Sequence, residues 1–260
     1  MSDHVKLFTA FHKSFYTPPL DFIVPVWLGK NNLAIPMDIA GDDSGDHISH
    51  LNDKFSELTL FYWVWKNQPM AADDIWGVCH YRRYFTTYKR WYSLSTFTLN
   101  RYPEKKVIDF YVNERLEPAI IKKMAKADVI VPHPINVSLR RKIDISIEDQ
   151  YKKEHSEEDW LVLKEVLLEK YPDYAQSFAL FSKQTKMSIA NMMIARSSTW
   201  NAYLGWLFDI IFEVDRRLPE RTDPYQRRSV GFMAERLMNL YILHNGLKTD
   251  HMQLVLFDKK

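Results

Sequence analysis

An α/β protein with a single main active site is what this sequence predicts. Three observations carry the prediction: short apolar runs alternate with helical stretches, the chain has 260 residues, and it holds only 7 Gly and 12 Pro. Strands and helices that take turns along a chain build a sheet with helices packed on it. A chain of this length lies near the upper end of what one hydrophobic core serves, so one domain with decorations is expected over residues 1–260. The scarcity of Gly and Pro leaves little flexible linker, and no repeat or low-complexity tract interrupts the chain.

The elements follow in order. KLFTAF is a short apolar run that ends in the polar HKSF, as a first buried strand would. DFIVPVWLG, residues 21–29, reads as a second strand that Pro25 confines to an edge or an irregular end. The polar GDDSGDHISHLND then leads into ELTLFYWVWKN, and a helix is predicted from Asp53 to Lys66. Ile75 to Cys79 forms a buried strand that breaks into the polar tip HYRR. Residues 86–105 are aromatic and basic without periodicity, so no element is assigned there. Glu117 to Ala127 reads as a helix, and DVIVPHP as a strand closed by a proline pair. Ser156 caps a helix to Lys170 whose first turn is acidic. Ile189 to Ala195 is predicted as a strand, 199–217 and 225–245 as helices, and MQLVLF as a closing strand.

Composition bounds the function. A net charge of +2 does not support a nucleic-acid partner, which draws a concentrated basic face. The single Cys79 forms no intrachain disulfide and no zinc pair, which fits a reducing, cytoplasmic compartment. The first residues lack a secretory apolar run, and the most apolar later stretch, residues 202–214, is short and carries Asp209 and Glu213. Aromatic residues make up 14%, with 8 Trp and 14 Tyr. Such rings either fill the core or line a sugar-binding cleft, where their faces cover the C–H faces of a sugar.

Several residue groups carry chemistry. Asp42, Asp43, Asp46, His47, Ser49 and Asn52 crowd a loop between a strand and a helix, where ligands are commonly met, although the same residues also cap turns. His80, Tyr81, Arg82 and Arg83 end an apolar strand. Guanidinium groups there either bind phosphate in forked geometry or pair with acids of a nearby loop. Tyr151, His155 and Asp159 recur every fourth residue and share one face if residues 150–164 form a single helix. Asp209 and Glu235 interrupt apolar helices, so each is paired or functional. No Gly-rich dinucleotide loop, phosphate loop, zinc-protease helix or nucleophile elbow appears.

TAFHK (9–13), GDHISHLNDKFSELTLFYWVWKN (45–67), GVCHYRRYF (77–85), ADVIVP (127–132), YKKEHSEEDW (151–160), NMMIA (191–195), GWLFDIIFEVD (205–215) and RRSVGFMAERL (227–237) together resemble one family over nearly the whole chain. It comprises bacterial capsular and exopolysaccharide biosynthesis proteins long filed as a domain of unknown function, some regarded as galactofuranosyltransferases. His47 departs from the Asn expected there. The resemblance implies a variant of the GT-A nucleotide-sugar fold with additional C-terminal helices. Residues 1–135 would form the nucleotide-sugar half and 136–260 a largely helical acceptor half. It further implies that Thr9, His12 and Lys13 lie beside the nucleoside, and that Asp46, Ser49, Asn52, His80, Arg82 and Arg83 lie near the donor. His155, Asp159 and Asn191 would then line the sugar or acceptor side, with Tyr151 and Arg228 also among the substrate-binding residues. If the enzyme inverts the anomeric centre, the base would be Asp209 or Glu235, with Asp159 third; a retaining enzyme would relax that requirement.

The implied activity is transfer of a hexose, galactofuranose or galactose, from a uridine diphosphate sugar to a lipid-linked glycan. It would take place at the inner face of the membrane, beside other polysaccharide-assembly enzymes. The aromatic, basic stretch from Tyr84 to Tyr102 would make peripheral contact with lipid. HYRR stands where this fold keeps its metal-binding acids, so no metal is expected to be obligatory. Magnesium or manganese at Asp42, Asp43 and Asp46 is the competing arrangement. A non-catalytic nucleotide-sugar or glycan-binding subunit is the main alternative, and a hydrolase or phosphotransferase acting on nucleotide sugars the third.

Overall fold

The computed structural model describes residues 5–29, 38–89, 96–99, 104–138 and 144–258. Val5–Phe11 (β1) lies at the centre of a parallel group, with Ile23–Trp27 (β2) on one side and Ile75–His80 (β4) on the other. Ala40–Gly41 (β3) borders β2. Pro25 is tolerated in β2 because it registers with Thr9 on one side and has no β3 partner on the other. The chain moves outward from β1 to β3, then crosses back over Asn52–Phe55 (α1) and Leu58–Asn67 (α2) to β4. The carboxyl ends of β1 and β4 therefore flank a topological switch point, where open α/β sheets bind ligands.

Beyond β4 the sheet is built from distant segments. Arg83–Thr86 (β5) turns back on β4 through the two residues Tyr81 and Arg82, so His80 directly opposes Arg83. Thr96–Leu99 (β6) pairs in parallel with the last strand. Lys105–Tyr111 (α3) and Leu116–Met124 (α4) precede Val129–Pro132 (β7). Ile135–Asn136 (β8) and Lys186–Met187 (β9) form a separate two-stranded ribbon. Ile147–Glu154 (α5), Glu157–Lys170 (α6) and Ala175–Ser182 (α7) follow β8. Ile194–Arg196 (β10) then runs antiparallel between β4 and β7, and its closeness to β4 requires Gly77. A Cβ there would lie 2.6 Å from Ile194 Cγ1 and 2.8 Å from the Met193 carbonyl. Ser197–Arg217 (α8) and Ser229–His244 (α9) lead to Thr249–Phe257 (β11), inserted between β5 and β7. The later half of the chain is thus not purely helical, since β10 and β11 complete the sheet.

Alternation along the strands supplies two cores. Leu7, Ile75 and Cys79 join α3 and α4 on one face, while Phe8, Trp76 and Val78 meet α2 and α5 to α9 on the other. In the second layer Trp200 stacks on Trp76 at 4.1 Å and donates its indole N–H to the Trp76 carbonyl at 2.8 Å. Ser146 and Ser156 cap α5 and α6, each accepting from the amide of the acid three residues on. No helix among the described residues is long and apolar enough to cross a membrane.

Three expectations are corrected. The helix from Asp53 to Lys66 is broken at Ser56, whose φ of 51° takes it out of the helix. Asn52 stabilises the break by donating from Nδ2 to the Ser56 carbonyl at 2.8 Å and to Thr59 Oγ1 at 3.1 Å. The strand from Ile189 shortens to β10 because Ala190 and Asn191 adopt φ of 80° and 48°. Residues 150–164 are not one helix, since α5 ends at Glu154 and α6 starts at Glu157 with His155 between them. In the proposed lipid-contact stretch, Tyr84 and Phe85 are buried in β5, and residues 90–95 and 100–102 lie outside the described residues.

Candidate active site

A cavity of about 500 Å³ opens at the switch point, within the range of small-molecule sites. Ala10 and His12 reach it from β1, Asn52, Asp53, Ser56 and Glu57 from the broken helix, and His80 and Arg83 from the β4–β5 turn. Ala190 and Asn191 supply the left-handed turn, and Arg228, Gly231, Phe232 and Glu235 the start of α9.

Directly opposed residues of an antiparallel pair share a face, which brings His80 and Arg83 to the cavity together and leaves Arg82 on the turn. Arg82 instead pairs with Asp258 at 3.2 Å and covers the Tyr81 ring at 5.0 Å. Among the described residues no carboxylate or other acceptor holds the Arg83 guanidinium, and its buried Nε lacks a hydrogen-bond partner. Burial pulls its pKa down while Glu235 and then Glu57 pull it back up. A guanidinium remains charged in either case.

The two left-handed residues are gripped from three sides. The Ala190 carbonyl meets His80 Nε2 at 2.9 Å, and its amide donates to Glu235 Oε1. Asn191 Nδ2 donates to Glu57 Oε1 at 2.8 Å and to the Gly231 carbonyl at 3.2 Å. Its Oδ1, in a side chain that is 1% exposed, has no partner. An unpaired buried amide oxygen beside a cavity is an acceptor poised for a hydroxyl or amide donor.

Asp53 pairs with Arg227 at 3.3 Å, and Glu235 Oε2 with Arg236 at 2.9 Å. Arg228 donates from Nε to Ser56 Oγ at 2.8 Å, a neutral partner. Arg83 and Arg228 thus face Glu57 as the one cavity carboxylate without an ion pair, an excess of positive charge suited to an anion such as a diphosphate. Burial lowers the His80 pKa, opposed by Glu57 and reinforced by Arg83. His12 is open to solvent at the mouth, yet partial burial and the cations Lys13, Arg228 and Arg82 with His80 hold its pKa down as well. Both imidazoles are neutral at pH 7. The Cys79 thiol is buried and pushed up to about 12 by that burial, so it is no nucleophile.

Of the predicted site residues, the cavity gathers His12, Asn52, His80, Arg83, Asn191, Arg228 and Glu235. The others lie elsewhere. Thr9 is buried within β1 and donates to the Leu7 carbonyl, and Lys13 is exposed beyond the strand. Asp46 clamps its loop, its amide on Asn67 Oδ1 at 2.9 Å and its carboxylate on Tyr62 at 3.1 Å. Ser49 is spent on the buried Asp42, which also accepts from the Gly29 amide at 3.1 Å. Tyr151 is fully buried under the Arg236 guanidinium at 5.2 Å. His155 stacks behind Phe232 at 4.2 Å. Asp159 is buried against Arg221, and Asp209 lies half exposed on α8, paired with Lys170 at 2.8 Å and Tyr171 at 3.0 Å. Neither Asp159 nor Asp209 lines the cavity. Glu57 and Phe232 were not anticipated. The only sequence sign of Glu57 was its place just before the apolar helix. Asp42 and Asp46 have separate partners, and no group of three or more His, Cys, Asp or Glu converges among the described residues.

A cavity at a parallel switch point, lined by two guanidinium groups, stands where open α/β sheets take small ligands. The chain belongs to the family described as Domain of unknown function (DUF4422), which matches residues 6–246. No curated protein matches it. It is similar to a solved structure, the WbbM bifunctional glycosyltransferase in its apo form, at 26% identity with a TM-score of 0.87. The likeness covers 99% of this chain and 46% of that one, so the chain spans about half the length of its structural relative.

Proposed function

We propose that the protein is a glycosyltransferase that moves a hexose from a uridine diphosphate sugar to a lipid-linked glycan, with galactofuranose or galactose as the sugar. The observation that carries this reading is Arg83: a cation without an ion pair that lines, together with Arg228, the cavity at the β1/β4 switch point. The likeness to a bifunctional glycosyltransferase supports it, and the sheet order fits a GT-A type of nucleotide-sugar fold. Membership of polysaccharide assembly, and peripheral contact with the membrane that holds a lipid-linked acceptor, follow from the same reading.

The chemistry is a single displacement. The acceptor hydroxyl oxygen bonds to the anomeric carbon as the bond from that carbon to the β-phosphate oxygen breaks, and the electron pair leaves with the diphosphate. Arg83 and Arg228 offset the charge that develops there. The hydroxyl proton passes to Glu235, which the Ala190 amide and Arg236 hold in place. The anomeric configuration inverts. Asn191 Oδ1 is free to accept from a sugar hydroxyl.

A thermal-shift screen of nucleotide diphosphate sugars tests the reading, because a ligand that binds only the folded state raises its apparent stability. Uridine diphosphate hexoses should stabilise the protein, and Glu235→Gln should still bind them but lose turnover. No shift with any donor would remove the reading. Full activity in Glu235→Gln with loss in Glu57→Gln would move the base to Glu57.

A further inference from the structure

The wall of the cavity continues outward from Phe232 as a stack of rings. Phe232 lines the cavity, and His155 lies on it with centroids 4.2 Å apart and planes 22° from parallel. Tyr225 packs on both, 4.9 Å from Phe232 and 5.8 Å from His155. Tyr225 is 53% exposed, so the outer end of the stack reaches solvent.

The stack is rigid. Asp223 Oδ1 accepts from the amides of Tyr225 at 3.0 Å and Gln226 at 2.8 Å, which fixes the turn that carries Tyr225. The Arg228 guanidinium lies 5.6 Å from the Phe232 ring centre. The ledge itself is uncharged at neutral pH, since burial and Arg236 hold the His155 pKa down to about 4. Its rings carry no charge themselves, and Arg228 lies at the Phe232 end, so the outer part of the ledge at Tyr225 suits a neutral ligand with an apolar face.

Position selects the ligand. Phe232 and Glu235 are three residues apart on α9, so they share one face of the helix, and both line the cavity. A group held on the Phe232–Tyr225 ledge lies one turn from the Glu235 carboxylate. The participant that must stand beside the base is the acceptor, whose hydroxyl loses the proton.

We infer that Tyr225 and Phe232, backed by His155, form a platform that binds the C–H face of a hexose ring of the acceptor glycan. The inference rests on the glycosyltransferase reading and deepens it by giving the acceptor a binding surface. Pyranose and furanose rings present C–H bonds on one face, and an aromatic face receives them while hydroxyls at the ring edge stay hydrated.

Saturation-transfer NMR with methyl galactopyranoside, glucopyranoside, mannopyranoside and galactofuranoside tests this on the whole chain. In the wild type at least one glycoside should receive saturation on the protons of one ring face. Tyr225→Ala should weaken that glycoside by about threefold to tenfold, the size of one aromatic contact. Tyr225→Phe should keep the wild-type affinity. Phe232→Leu, which keeps apolar volume without a ring, should lose as much as Tyr225→Ala and guards against a local folding defect at Tyr225. Calorimetry with uridine diphosphate, run on the same proteins, reports the donor site separately, so failure there strikes the glycosyltransferase reading and not the ledge alone. Unchanged glycoside binding in both Tyr225→Ala and Phe232→Leu overturns the inference, as does the absence of saturation for all four glycosides in the wild type. If Tyr225→Ala weakens uridine diphosphate and spares the glycosides, the ledge holds the nucleobase and the inference is overturned.

Discussion

Replacing Arg83 and Arg82 separately by alanine should give unequal results, because the two-residue turn sends the side chains to different places. Arg83 enters the cavity with no ion pair, so in the proposed mechanism its charge is available to the leaving diphosphate. Removing one preorganised donor of this kind costs roughly a hundredfold to a thousandfold in rate, or about 3 to 4 kcal/mol. Arg82 is held by Asp258 in a pair whose partners are 29% and 34% exposed, and such screened pairs contribute at most about 1 kcal/mol. The assay is steady-state transfer of labelled hexose from its uridine diphosphate donor, with kcat and KM resolved and thermal melting recorded for each variant. Arg83→Ala should lose at least about a hundredfold in kcat/KM and Arg82→Ala less than about fivefold. Arg83→Lys should recover part of the loss, since charge returns without the fork. Equal losses in the two alanine variants, or a larger loss at Arg82, would refute the placement of charge on which the mechanism rests.

Three further outcomes are expected. Asp209→Asn should leave turnover within about twofold of wild type, because its exposed contacts to Lys170 and Tyr171 lie outside the cavity and surface pairs contribute little; a large loss would return Asp209 to the base. Gly77→Ala should destabilise by about 1 to 3 kcal/mol in urea melts, since the new methyl meets Ile194 and the Met193 carbonyl; an unchanged midpoint would show that β10 yields without cost. His155 has a folded-state pKa of about 4 against about 6.5 unfolded, so the unfolded chain binds the proton first. Its stabilising effect is complete above about pH 6.5 and is lost as pH falls through the window towards 4. At pH 5 that loss is about 2 kcal/mol, and His155→Phe should remove most of it in paired urea melts at pH 7.5 and 5; identical pH sensitivity in the two proteins would contradict it.

The sheet was largely legible in the sequence because its strands carry their own signal. β1, β4, β7 and β11 are apolar runs, whereas β2 is not the edge strand that Pro25 suggested, since β3 pairs beyond it at Val26 and Trp27. What could not be read were places where one side chain overrides the local pattern. Asn52 stabilises a break at Ser56 inside an otherwise helical stretch, and that break brings Asp53, Ser56 and Glu57 to the cavity. Ala190 and Asn191 leave a strand-like sequence because His80, Glu57 and Glu235, distant in the chain, hold their backbone and side chains. Periodicity placed Tyr151, His155 and Asp159 on one helical face, whereas Ser156 starts a new helix between them. The arginine pair was visible as a motif, but its division of labour needed the hairpin register. Asp209 looked like a carboxylate stranded in an apolar helix, and only tertiary packing shows Lys170 and Tyr171 beside it.

Glycosyl transfer in this cavity is the central claim, and product formation tests it most directly. Labelled uridine diphosphate hexoses, including galactofuranose and galactose, would be incubated with the protein and a panel of lipid-linked and alkyl glycoside acceptors, with Arg83→Ala and Glu235→Gln run beside the wild type. The account predicts labelled glycan from at least one donor and acceptor, with inverted anomeric configuration, and a collapse of that product in both variants. Label that never leaves the donor across the panel, or product that both variants form at the wild-type rate, would contradict it.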